Sequence, residues 1–316
     1  MDRIGARTAR LIAFAIAAAA LTAAAPGDAP LRAMRWTDSA RLPSALIMQP
    51  AECLALPADP QARARVEIGR AAFRTPLILG GQAARLGLSC ESCHTNARSN
   101  AAFFMPGLSG APGTADVTSS MMSTHRGNGV FDPKPIPDLA QPGKIVRAAD
   151  RPDLRNFIHG LVTEEFDGHE PPAAVLGGLV AYVRAIDAAN CPATDSAPVT
   201  AELWIDAALR SMKAARERLR AHDAASALNM LDAARSALGM LDERYARLGA
   251  DHARLLTADA EIARLRDDVL AGRAGATGRI GAWLQHARRW QDMLIRDEQA
   301  SLFNAGRLND AISKQR

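Results

Sequence analysis

Cys90-Glu91-Ser92-Cys93-His94 gathers two thiols and an imidazole into five residues. Two thiols at that spacing can each add to a vinyl group of one porphyrin. A histidine directly after the second thiol is then held beneath the ring, where its imidazole reaches the iron. Cys-x-x-Cys-His is accordingly the attachment signature of a c-type haem. With four Cys and seven His in the chain, random order produces this pattern roughly once in a thousand such chains. Three other uses of the same residues compete. Zinc would ask for a second Cys or His pair at ligand spacing, and the other cysteines, Cys53 and Cys191, stand alone. A thioredoxin-type redox pair belongs beside a βαβ unit, and no strand-like alternation surrounds this one. An incidental surface match is the third. The expectation is one covalent haem c tethered by Cys90 and Cys93, with His94 as the proximal iron ligand.

The opposite face of the iron decides what such a haem does. A Met raises the potential, a second His generally lowers it, and an open site admits ligands or peroxide. Met105, Met121, Met122, His125, His159 and His169 all follow the motif. Met121, Met122 and His159 are the distal candidates, and the choice among them stays open. Each has an ordinary alternative, a loop Met as core filler or a loop His as a solvated side chain. Arg126 and Arg155 could pair with haem propionates, against the plainer reading of surface charge.

The N-terminus bears on the compartment. Arg3, Arg7 and Arg10 precede an apolar run from Leu11 to Ala25, which Pro26-Gly27-Asp28 breaks. A basic stretch, a run of roughly 15 apolar residues and small residues at its end make a signal peptide over residues 1–25. The run is short for a membrane span, which takes about 20 apolar residues; an uncleaved membrane anchor is the alternative. Either way the body of the protein is expected to be exported, to the periplasm or its equivalent. In an oxidising compartment two leftover cysteines usually pair. A Cys53–Cys191 disulfide would close a loop of about 140 residues and stabilise the fold by ~4–5 kcal/mol in the chain-entropy model. Two separate buried thiols are the alternative.

Composition divides the rest into unlike halves. Residues 26–195 are rich in Pro and Gly, with short helical patches between long loops; the stretch from Ala101 to Gly143 holds six prolines. A loop of that length inside a compact domain is usually functional, and a haem supplies apolar surface for it to wrap. The run from Pro192 to Pro198 reads as a linker. Beyond it, over residues 196–316, apolar residues recur in steps of three and four. The stripes are Ile205 to Leu219, Leu228 to Leu248, Leu255 to Val269 and Ile280 to Leu294. Each set shares one helix face, with Gly249, Gly272 and Gly275 as stops. Four amphipathic helices on short connections suggest an antiparallel bundle. Met212, Met230, Met240 and Met293 are expected in its core.

The segments flanking the haem motif resemble a family. Ile68-Gly69-Arg70-Ala71-Ala72-Phe73, Thr75-Pro76-Leu77 and Ser89 through His94 resemble the opening of a haem domain of bacterial di-haem cytochrome c peroxidases and their MauG relatives. Arg151-Pro152-Asp153-Leu154-Arg155-Asn156-Phe157 is similar to their Pro-x-Leu-Arg-Asn segment, Asp167-Gly168 to their loop-closing Asp-Gly, and Val175 to Ile186 to their final helix. The resemblance spans about residues 60 to 190. It implies a mainly α chain: a cytochrome c-like haem domain with long loops, followed by the helical bundle. The departures are as informative. Those peroxidases carry two haem motifs and this chain has one. Where they often hold a His before Asp-Gly, this chain reads Glu164-Glu165-Phe166.

The expectation is therefore an exported single-haem cytochrome c that carries electrons between redox partner proteins. The alternatives are a peroxidase-like oxidoreductase with an open sixth position, with Glu164 or Glu165 as distal acid, and a haem sensor or interaction protein acting through the bundle. A formal net charge of +4 suits an acidic partner or a membrane surface without selecting either. No basic-and-aromatic pattern argues for nucleic acid.

Overall fold

The computed structural model describes residues 31–145, 147 and 153–314; the expected signal peptide, 1–25, lies outside them. The chain is mainly helical. Its first half builds α1 (Leu42–Ile47), α2 (Pro60–Phe73), α3 (Gly81–Leu86), the single turn α4 (Cys90–Cys93), α5 (Asp153–Gly160) and α6 (Ala173–Ala185). A π-helical turn, Leu161–Glu165, extends α5. Two short antiparallel ladders accompany them. β1 (Met48–Pro50) pairs with β4 (Ser196–Pro198), and β2 (Thr114–Ala115) with β3 (Lys134–Pro135). The second half is α7 (Ala201–Arg220), α8 (Ala224–Tyr245), α9 (Gly249–Leu270), α10 (Ala276–Asp297) and a short α11 (Ala305–Ser313).

Helix starts follow local chemistry. Asp59 accepts from Ala62 N at 2.6 Å and Pro60 takes the first position of α2. Thr200 caps α7 and Asp223 caps α8 in the same way. Each satisfies an amide that the first turn leaves without a partner. The four expected stripes lie on α7, α8, α9 and α10, which pack in a closed ring of neighbours. Connections of three to five residues make them antiparallel. Met212 and Met230 are fully buried there, while Met240 and Met293 are half-buried. Gly249 opens α9 rather than closing α8. Among the described residues no helix is long and apolar enough to cross a membrane.

The helices the resemblance marked as the first and last of a haem domain, α2 and α6, cross at van der Waals distance. A methyl group on Gly178 would sit 2.8 Å from Gly69 N and 3.0 Å from Arg65 O. One turn on, Phe73 and Tyr182 meet edge to face with centroids 5.2 Å apart. The two halves are not separate bodies. One apolar cluster runs from Cys53, Val66 and Leu179 through Ile205 and Leu231 to Trp283 and Trp290. The segment expected as a free linker is pinned as β4, and Val199 N donates to Ile47 O at 2.8 Å. A second tie joins the ends. Leu31, Leu42 and Leu46 pack with Leu302, Leu308 and Ile312. Arg244, buried, donates to Leu302 O at 2.8 Å and Leu46 O at 2.7 Å.

The disulfide is present: Cys53 and Cys191 are bonded across 138 residues of chain. It joins the start of the first half to its end.

The crossing makes a paired test. Gly178→Ala should cost at least ~2 kcal/mol, because its Cβ meets backbone that cannot yield. Gly177, one residue away, has only the Arg155 guanidinium near it, at 3.9 Å. Gly177→Ala should gain ~0.5–1 kcal/mol from helix propensity. Urea denaturation of both variants measures the contrast, and equal effects would mean that the crossing is loose.

Candidate haem-attachment site

The motif forms one helical turn. Ser89 N donates to Ser92 Oγ at 3.1 Å, and His94 N closes the turn on Cys90 O at 2.8 Å. Residues three apart share a helix face. Cys90 and Cys93 thus both pack against an apolar cluster of Trp36, Leu88, Phe103, Met105, Leu108, Met122 and Ile136. Both thiols are free. Burial pushes each up to about 12, the reverse of the lowered thiol of a redox-active pair. Cys53 and Cys191, spent on each other, cannot complete a zinc site.

His94 Nδ1 lies 3.0 Å from Pro137 O. A carbonyl only accepts, so the ring proton sits on Nδ1 and Nε2 keeps its lone pair. Burial, outweighing the Pro137 contact and nearby Asp138, holds the ring down to about 4, so it is neutral. A neutral imidazole whose other nitrogen donates to a carbonyl is the usual form of a metal ligand. Directly after His94 the chain reverses through two left-handed residues, Asn96 (φ 53°) and Ala97 (φ 60°). For residues with a Cβ that conformation costs of order 1–2 kcal/mol each, and the surroundings hold it. Asn96 donates to Pro50 O at 2.7 Å and accepts from Arg74 at 2.6 Å, and its amide donates to Glu91 at 2.9 Å.

Those partners belong to an ionic network that the sequence did not reveal. Glu52 accepts from Tyr182 Oη at 2.7 Å, from Arg70 Nε at 3.0 Å and from Arg74 at 3.2 Å. Arg74 also pairs with Glu91, the second residue of the motif, at 3.5 Å. From Arg70 the chain of charges continues to Glu67 and on to Arg210 of α7, 3.3 Å from Glu67. Burial would raise Glu52, but Arg74, Arg70 and the Tyr182 hydroxyl outweigh it and hold the carboxyl below its usual range. At Glu91 burial wins over Arg74 and the carboxyl is raised. The available signal was modest: Arg70 and Arg74 lie four apart on one helix face, and Glu52 is next to a disulfide cysteine.

Of the distal candidates, Met122 is buried in the cluster that holds Cys90 and Cys93, and Met105 joins it. Met121 is exposed, its methyl against Gly107. His159 lies on α5, 2.6 Å from Glu170. His125 pairs with Asp167 at 2.9 Å. Arg126 pairs with Glu164 and Glu165, and Arg155 is exposed. Glu165 is largely buried, with its carboxyl raised by that burial and an Oε2 that has no hydrogen-bond partner. The loop above the cluster is organised by buried Asp116, which accepts from Thr118 and from Asp132 N.

No family model, curated protein or solved structure matches this chain, so the site is tested through its own physics. A carboxylate held below its unfolded value adds stability above that value, 4.5, and loses it as pH falls through the folded value. Glu52→Gln should cost about 3 kcal/mol at pH 7, as expected for breaking a buried pair. The gap to the unmodified protein should shrink below pH 4.5 as Glu52 itself protonates. Glu91, raised, carries the opposite sign: Glu91→Gln should lessen the stability lost as pH rises from 4.5. Denaturant titrations from pH 3 to 7 measure both, and a pH-independent gap for Glu52→Gln would contradict the network.

Proposed function

We propose that this chain is an exported single-haem cytochrome c that carries electrons. The observation that carries the reading is the donor set: two thiols on one apolar face, followed by a neutral imidazole with Nδ1 on a carbonyl and a free lone pair on Nε2. The residues fit the group. Each S–H would add across a porphyrin vinyl, its sulfur bonding to one carbon and its hydrogen passing to the other, so attachment would consume no electrons. When bound, the haem supplies one-electron exchange between ferric and ferrous iron.

The protein's own residues do the rest. Cys90 and Cys93 would tether the group, His94 would ligate it, and Phe103, Met105, Leu108 and Ile136, which share the cluster with both thiols, would exclude water from it. Met122 is the distal ligand we favour, since it shares the cluster with both thiols. The disulfide and the N-terminal pattern support an oxidising, periplasm-like compartment. The mild positive charge suits an acidic redox partner. The peroxidase-like alternative rests on one feature, the largely buried Glu165 with its orphaned oxygen.

Spectra of the reduced protein with and without carbon monoxide separate the readings. A carrier with both axial positions filled should show no shift with carbon monoxide and negligible peroxide turnover. Met122→Ala should open the iron to carbon monoxide, whereas Met121→Ala and His159→Ala should not. Carbon monoxide binding together with robust peroxide turnover that Glu165→Gln abolishes would replace the carrier with an enzyme.

A further inference from the structure

We propose that Arg98 and Asp138 are positioning residues for the proximal ligand, braced by the Cys53–Cys191 disulfide; the inference rests on the haem reading above and concerns what sets that haem's potential. The carbonyl that accepts from His94 belongs to Pro137, an exposed residue two positions past β3, outside any helix or strand. Ile136 N, one residue before it, donates to Gly113 O at 2.9 Å, and on the other side a side chain takes hold. Asp138, the next residue, accepts from Arg98 Nε at 2.7 Å. Its other oxygen accepts from Ala140 N at 2.9 Å, and Leu139 N donates to Ala97 O at 3.1 Å. Arg98 follows His94 by four residues, so a single side chain grips the loop from just beyond the motif.

Arg98 is itself held. Its Nη1 lies 3.1 Å from Cys53 Sγ and 3.7 Å from Cys191 Sγ. A contiguous set of contacts thus runs from the disulfide through Arg98 and Asp138 to the carbonyl on the ligand's ring. Arg147 independently holds Leu139 O at 3.1 Å and Ala140 O at 3.3 Å. Losing Arg98 therefore leaves the loop docked and the haem retained, and misplaces the one carbonyl. A well-placed carbonyl on Nδ1 raises the basicity of the imidazole and favours ferric iron. A misplaced one raises the potential.

The experiment is a spectroelectrochemical titration of the haem-loaded protein. Arg98→Met and Asp138→Asn should each shift the midpoint upward with haem content unchanged. Arg98→Lys, which keeps a cation for Asp138, should shift it less. Replacing both disulfide cysteines with Ala should shift it in the same direction, and adding Arg98→Met to that variant should shift it little further, as coupled sites require. Arg235→Met, which breaks a bundle ion pair to Asp259, is the control and should leave the midpoint unmoved. Unchanged midpoints in haem-loaded Arg98→Met and Asp138→Asn overturn the proposal. Fully additive shifts overturn the disulfide's part in it. Should Arg98→Met fail to fold, Asp138→Asn decides alone. An unmodified chain that takes up no covalent haem fails at the earlier reading, before any potential is measured.

Discussion

Glu52 is a largely buried carboxylate, and a charge taken so far out of water is tolerated only when it is paired and hydrogen-bonded. Meeting that demand brings together parts of the chain that share no local contact. Arg70 comes from α2 and Arg74 from the residue that caps its C-terminus, Tyr182 from α6, and Glu52 itself stands beside the disulfide. Arg74 then reaches past Glu52 to Asn96 and Glu91, so the charge that is neutralised there also orients the turn of Cys90 to His94. Replacing such a network with apolar residues could leave stability unchanged. Its use here is to specify one arrangement of helix, motif and disulfide.

The motif sits between two supports of different kinds. On one side the apolar cluster receives Cys90 and Cys93 and excludes water. On the other, polar contacts hold the backbone reversal at Asn96 and Ala97 and set the Pro137 carbonyl on His94. The reversal is strained, and strain of this kind persists only where the surroundings over-determine it. The same network reaches α7 through Glu67 and Arg210, and the apolar core passes continuously from α6 into the bundle. The bundle is thus part of the body that holds the site.

What the sequence made legible follows from how local each signal is. The four bundle helices were readable because a 3.6-residue period needs no knowledge of the rest of the chain, and the stripes lie where α7 to α10 form. The turn that brings Cys90, Cys93 and His94 together was readable because they lie within five residues. The Cys53–Cys191 bond was readable by counting, once the motif had claimed the other two cysteines. The misses were long-range. An apolar stripe does not say which neighbour covers it, so the shared core stayed hidden. The run from Pro192 to Pro198 looked like a linker because a three-residue ladder with Met48–Pro50 leaves no pattern. The grip of Arg98 on Asp138 joins positions 40 residues apart, with no periodicity to mark them.

The central claim is that Cys90 and Cys93 carry one haem. The most direct measurement is intact-mass and peptide mass spectrometry of the protein produced in a host that matures c-type cytochromes, after acid–acetone extraction. The account requires a mass increase of one haem, localised to the peptide containing Cys90 through His94, with Cys53 and Cys191 still joined. A chain of unmodified mass whose Cys90 and Cys93 both alkylate once the protein is unfolded would contradict it.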